Sequence, residues 1–250
     1  MWIHAVGTLV RDRNAERGTL GRQSDTLVSR GGSMNKLTLV IANRNYSSWS
    51  LRAWLALEAT GQPFDEVMIP LGRPETTEEI LRWSPTGRVP ALRDGEISLW
   101  DSLAICEHLA ELFPEARLWP AEPRARAVAR SVVAEMHSGF IALRKHMPMN
   151  LRASYPDAKR EPGVAEDIDR ITTIWQQCRR DFGASGELLF GGFTIADAFF
   201  APVVSRFTTY GITPDGVASD YMDAVWALPA MCDWAEKARA EPWSVDRYDR

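Results

Sequence analysis

Apolar positions along this chain change their spacing once, near residue 114. Before that point short apolar runs alternate with helix-like stretches. The run Leu37-Thr38-Leu39-Val40-Ile41-Ala42 predicts a strand over 37–42, and Ala53-Trp54-Leu55-Ala56-Leu57-Glu58 belongs to a helix over 48–60. A strand over 65–69, a helix near 75–83, strands over 89–93 and 96–99 and a helix over 100–113 follow. Gly61-Gln62-Pro63 punctuates the first helix, and Gly95 marks a tight turn between the last two strands. Beyond the stretch from Pro114 to Pro120 the strand signal disappears, and helical spacing covers 122–146, 163–183, 194–209 and 229–240. Val128, Val132, Val133, Met136, Phe140, Ile141 and Leu143 make one broad apolar stripe; Ile168, Ile171, Ile174, Trp175 and Cys178 make another.

This order, βαβ and then ββα, is an α/β arrangement of thioredoxin-like type, followed by an all-helical part. The expected organisation is a thioredoxin-like domain over 34–114, a linker, and an all-helical domain over 121–250. Residues 1–33 are polar, glycine-bearing and without sustained periodicity, and read as a disordered extension or as a start codon assigned too far upstream. Trp2-Ile3-His4-Ala5-Val6 lacks the basic start and cleavage site of a signal peptide.

Composition narrows the function classes. The chain has 250 residues, 45% hydrophobic and 25% charged, with a net charge of −4. No basic stripe favours nucleic acid as a partner, and no apolar run reaches membrane-spanning length. Cys106, Cys178 and Cys232 are widely spaced and outside any metal-ligand pattern, which predicts reduced packing residues in a cytoplasmic protein and no metal site.

Three short segments carry candidate chemistry. Asn45-Tyr46-Ser47-Ser48-Trp49-Ser50 lies where a strand empties into a helix, whose first N–H groups and dipole favour an anion. Ser47 or Ser48 can donate to that anion, or serve only as an N-cap. Val89-Pro90 sits at the start of a strand, where proline lacks a donor; a cis bond presents the Val89 backbone to a ligand, while a plain turn proline is the alternative. Asp101-Ser102 opens a helix directly after a strand. Ser102 can bind a carboxylate and Asp101 an ammonium group, so one α-amino acid head satisfies both; an empty cap is the alternative.

Val89-Pro90-Ala91-Leu92 followed by Asp101-Ser102-Leu103-Ala104-Ile105 resembles the cis-proline loop and γ-glutamyl-binding motif of the glutathione transferase family. The likeness runs from about Leu37 to the C-terminus and is most specific in the first domain. Ser47-Ser48-Trp49-Ser50-Leu51-Arg52 looks like the Ser-Ser-Cys motif of the zeta class, with Trp49 standing where that class has cysteine. Thr194-Ile195-Ala196-Asp197 resembles the capping box of the family's core helix. The resemblance implies a serine-type glutathione transferase with glutathione as cosubstrate and a small hydrophobic electrophile as its other substrate, and a cytoplasmic homodimer. By the match Ser47 holds the thiolate, with Ser48 as the next candidate. Val89 pairs with the cysteinyl backbone, and Asp101 and Ser102 hold the γ-glutamyl head. Arg88 reaches the glycyl carboxylate or is only solvated, and Trp49 walls the thiol site or packs in the core. Met136, His137, Phe140, Met147 and Met149 are candidates for an electrophile pocket between the domains. A glutathione-dependent isomerase or peroxidase, or a non-catalytic scaffold, is the alternative function.

Overall fold

The strand β1 (Leu37–Ile41) occupies the middle of the sheet because its side chains are buried on both faces, Leu39 and Ile41 completely. The computed structural model describes residues 36–246 with Tyr248 and Asp249. The reading of residues 1–33 as an extension lies outside them. After β1 come α1 (Ser48–Glu58), β2 (Phe64–Met68), α2 (Thr76–Leu81), β3 (Ala91–Asp94), β4 (Ile97–Trp100) and α3 (Ser102–Leu112). The sheet order is β2-β1-β3-β4; β1 and β2 are parallel, with Val40 opposite Val67, and the other pairs are antiparallel, with Leu39 opposite Leu92. This is the expected thioredoxin-like layer. The remaining helices are α4 (Pro123–Ser138), α5 (Ile141–His146), α6 (Val164–Phe182), α7 (Ile195–Thr209), α8 (Val217–Trp226) and α9 (Pro229–Ala240).

Most differences from the sequence expectation are shifts of one or two residues at element ends. Two are larger. The stretch 122–146 is two helices, because Gly139 is extended and Phe140 is left-handed at φ 55°. A Cβ on Gly139 would lie 2.7 Å from the Glu135 carbonyl oxygen, so glycine permits the chain to turn there. Helix α8, which buries Ala218, Tyr221 and Val225, is not among the segments that spacing picked out. Cys106 and Cys178 are buried as expected, but Cys232 is exposed and is not a packing residue.

One hydrophobic core runs continuously from Leu37 to Trp234. Helix α7 lies at its centre, apolar around nearly its whole circumference and packed on α1 and α4. Its start is fixed by the capping box. The buried Asp197 carboxylate accepts from the Thr194 N–H at 2.8 Å, the Thr194 hydroxyl at 3.0 Å and the Leu189 N–H at 3.1 Å. Burial outweighs these bonds and pushes the Asp197 carboxyl up to about 6.

Asp197→Ala leaves buried N–H groups unsatisfied, and should lower stability by about 1–3 kcal/mol in thermal or denaturant unfolding. The folded carboxyl titrates above its unfolded value, so the folded state retains a proton the unfolded state has lost. Stability of the unsubstituted protein should therefore fall as pH rises from about 4 through 6, and the variant should lose that part of the slope.

Candidate active site

The segment between β1 and α1 is held by groups far away in sequence. Glu241, just after α9, accepts from the Arg44 N–H at 2.8 Å and the Asn45 N–H at 3.4 Å. The Asn45 side chain donates to Asn150 at 2.9 Å, and Trp234 donates to the Arg44 carbonyl at 3.0 Å. The Tyr46 hydroxyl donates to Asp249 at 2.7 Å and accepts from Arg152 at 2.8 Å, while its ring stacks on Tyr248. The C-terminal segment therefore clasps the loop that delivers the two serines.

Those serines do different things. Ser47 is the N-cap of α1: its Oγ accepts from the Ser50 N–H at 3.3 Å and donates to the Ser50 Oγ at 2.8 Å. Both serines line a cavity of about 500 Å³; Ser48 is the first helical residue, and its Oγ accepts from Arg206 Nη2 at 3.2 Å. Arg206 comes from α7 and is buried; its Nε donates to the Met147 carbonyl and its Nη1 to the Pro202 carbonyl. Burial, with Arg144 second, holds the Arg206 guanidinium down at about 10. The same cavity is lined by Tyr46, Arg88, Val89, Arg144, Met149 and Tyr248.

A second cavity of about 450 Å³ shares Trp49, Arg88 and Val89 with the first and adds Thr86, Trp100, Asp101 and Ser102. The Val89–Pro90 peptide is cis. Ser102 is buried, and its Oγ has no hydrogen-bond partner among the described residues. Asp101 has φ 73° and caps α3, its Oδ1 accepting from the Leu103 N–H at 2.8 Å; its Oδ2 lies 3.2 Å from His137 Nε2. Burial lowers the His137 pKa, Asp101 opposing it. Ser47 and Ser48 thus begin α1, and the structure brings Ser47, Ser48, Trp49, Arg88, Val89, Asp101 and Ser102 together around one continuous cleft.

The five candidates for the electrophile pocket fall in different places. Met149 lines the cleft, but Met136, Phe140 and Met147 are buried in the core, and His137 turns to Asp101. Arginines take their place. Their signal in the sequence was a lone charge inside an apolar helix, as at Arg206 within Val203-Val204-Ser205-Arg206-Phe207, because such residues are seldom buried without a task.

A profile of the glutathione S-transferase N-terminal domain matches residues 46–112, the segment that carries both serines, Val89 and Asp101-Ser102. Over that segment the chain is similar to the N-terminal domain of the glutathione S-transferases. Mouse (Mus musculus) maleylacetoacetate isomerase is 38% identical over 100 residues, 39% of this chain and 45% of that protein, so the chain spans less than half the length of this curated relative. Among solved structures, a glutathione transferase homologue from Burkholderia with bound glutathione superposes with a TM-score of 0.62 at 23% identity, over 82% of this chain and 99% of the other. A bacterial zeta-class maleyl pyruvate isomerase gives 0.64 at 24% identity, over 83% and 100%. These two likenesses establish the fold.

Glu241→Ala should cost about 2 kcal/mol in thermal unfolding, since it strips two backbone donors and the Arg44 guanidinium (3.6 Å) of their buried partner.

Proposed function

We propose that this chain activates the thiol of glutathione for attack on a small electrophile that carries a carboxylate. The observation that carries this reading is the Arg206–Ser48 contact at 3.2 Å inside a cavity lined also by Arg144 and Arg88 and by no acidic side chain. A free cysteine thiol has a pKa of about 8.5, so little is ionised near neutrality. Ser48 accepts from a guanidinium and keeps its own proton free to donate to sulfur. The helix N-terminus and Arg206 favour the thiolate in the same direction. Ser47, engaged with Ser50, serves as the cap. Serine is no base at this pH; the thiol proton leaves to solvent.

The rest of glutathione fits the second cavity. The orphaned Ser102 hydroxyl and the N-terminus of α3 suit the γ-glutamyl carboxylate, Asp101 its ammonium group, and the Val89 backbone the cysteinyl unit. Arg88 suits the glycyl carboxylate. The thiolate then forms a carbon–sulfur bond. In transfer a leaving group departs with the bonding electrons. In isomerisation the electrons move onto an activating carbonyl, the former double bond rotates, and sulfur is expelled again so that glutathione returns unchanged. The arginine lining, and relatives named for maleylacetoacetate and maleyl pyruvate, support an anionic electrophile over a purely apolar one. A thiolate peroxidase or a scaffold gains no specific support from the cleft. The homodimer, the cytoplasmic setting and the partition at residues 114–121 belong to the same family reading.

Ultraviolet titration of bound glutathione tests the thiolate role. Ser48→Ala should raise the thiol midpoint by about 1–2 units, each unit being about 1.4 kcal/mol. Ser47→Ala should leave the midpoint nearly in place and lower stability by about 1 kcal/mol. The reverse pattern would return the role to Ser47.

Arg144→Ala should raise KM for a carboxylate-bearing electrophile about tenfold or more, the worth of one charge-assisted hydrogen bond, and change KM for a neutral electrophile less than about twofold. Equal losses on both would reject the anionic substrate.

A further inference from the structure

Arg52 carries a buried charge that this chemistry does not use. Arg52, in the middle of α1, is fully buried, and its Nε, Nη1 and Nη2 have no hydrogen-bond partner among the described residues. Its guanidinium carbon lies 4.4 Å from the centroid of the Trp49 ring and 4.7 Å from that of Phe199. Trp49 lines both cavities and follows Ser48 directly, so the charge is separated from the cleft by one indole.

The neighbours of Arg52 do not neutralise it. Arg206 from α7 and Arg144 from α5 are positive, and Arg144 also lies over the Trp49 ring at 5.4 Å. His137 from α4 meets the indole edge-on, its ring centroid 5.2 Å away. From α3 and its cap come Cys106, whose thiol burial pushes up and keeps neutral, and Asp101, whose oxygens already serve the α3 N–H groups and His137. Burial, then Arg206 and Arg144, bring Arg52 down to about 9, which leaves it charged near neutrality. A buried charge without a partner is costly, and an apolar side chain of similar length would pack this site at no such cost. The charge therefore has to serve something other than packing.

Resting on the glutathione reading above, we propose that Arg52 is a positioning residue for thiolate formation: it fixes the Trp49 wall and supplies positive potential to the sulfur end of the cleft. The countercharge it lacks arrives with the bound thiolate. Interaction through an indole in a poorly solvated interior is weakly screened, which is why a residue that never touches the ligand can act on it.

The test is ultraviolet titration of bound glutathione in the full chain and in Arg52→Met, Arg52→Gln and Arg52→Lys, with glutathione affinity measured below the thiol midpoint and thermal unfolding of the free proteins. Both neutral variants should raise the thiol midpoint by about one unit, a tenfold smaller thiolate fraction on the acid side. Glutathione affinity for the protonated thiol should change less than about threefold, and Arg52→Lys should recover part of the shift. The free Arg52→Met protein should melt no lower than the unsubstituted one. An unmoved midpoint in a folded neutral variant overturns the proposal, as does failure of both neutral variants to fold, since that would make the charge structural. A glutathione-bound protein with no thiolate signal even before substitution overturns the glutathione reading itself, a result distinct from either.

Discussion

The guanidinium of Arg206 joins three pieces of chain at the cleft, adding directional bonds to the packing of α7 on α1. Its Nη1 returns to the Pro202 carbonyl of its own helix, its Nε holds the Met147 carbonyl at the end of α5, and its Nη2 reaches Ser48 at the start of α1. Hydrogen bonds from a charged donor are worth about 1.5–3 kcal/mol each, enough to offset much of the desolvation of one guanidinium. The position of Arg206 depends in turn on where α7 begins, and the Thr194–Asp197 box sets that point. A capping feature about three turns away thus determines whether Ser48 meets its partner.

The loop before α1 is placed by polar bonds in the same manner. Glu241, Asn150, Arg152 and Asp249 converge on Arg44, Asn45 and Tyr46 from three other segments. Apolar packing alone resists sliding poorly, whereas directional bonds to backbone N–H groups define one loop conformation. The cleft is bounded on this side by the start of α1, the Arg88-Val89 loop and the junction of β4 with α3. Tyr248 from the C-terminal segment lines it beside Arg144, Pro148, Met149 and Arg206.

Much of this was legible in the sequence, for identifiable reasons. Strands and helices with strong periodicity, from β1 to α7, announce themselves because burial of one face imposes spacing on neighbouring positions. Val89-Pro90 and Asp101-Ser102 are local, so their geometry follows from a few adjacent residues. What stayed hidden is non-local. The helix break at Gly139-Phe140 preserves the apolar stripe across it, so spacing reads straight through. Arg144, Arg206 and Tyr248 meet only after α5, α7 and the C-terminal segment have packed, and no one-dimensional pattern joins them. Ser47 and Ser48 are adjacent and chemically alike; only their partners, Ser50 for one and Arg206 for the other, tell them apart.

The tryptophan at position 49 shows how one residue reshapes such a site. A cysteine side chain there offers a reactive sulfur but little surface. The indole instead gives two broad faces, and the guanidiniums of Arg52 and Arg144 lie 4.4 and 5.4 Å from its centre. Cation–π contact returns only about 2 kcal/mol when desolvated, less than the cost of burying a guanidinium, so Arg52 and Arg144 remain mutually repulsive and Arg52 lacks a hydrogen-bond partner among the described residues. A cluster of that kind is tolerable because the surrounding core is large and continuous, and under the proposed function an anion entering the cleft offsets its repulsion. Positive charge held in place before the ligand arrives needs no reorganisation at the moment of reaction, which is what stabilising a thiolate requires. The same residues that weaken the free protein are, on this reading, the ones that make its cleft selective for anions.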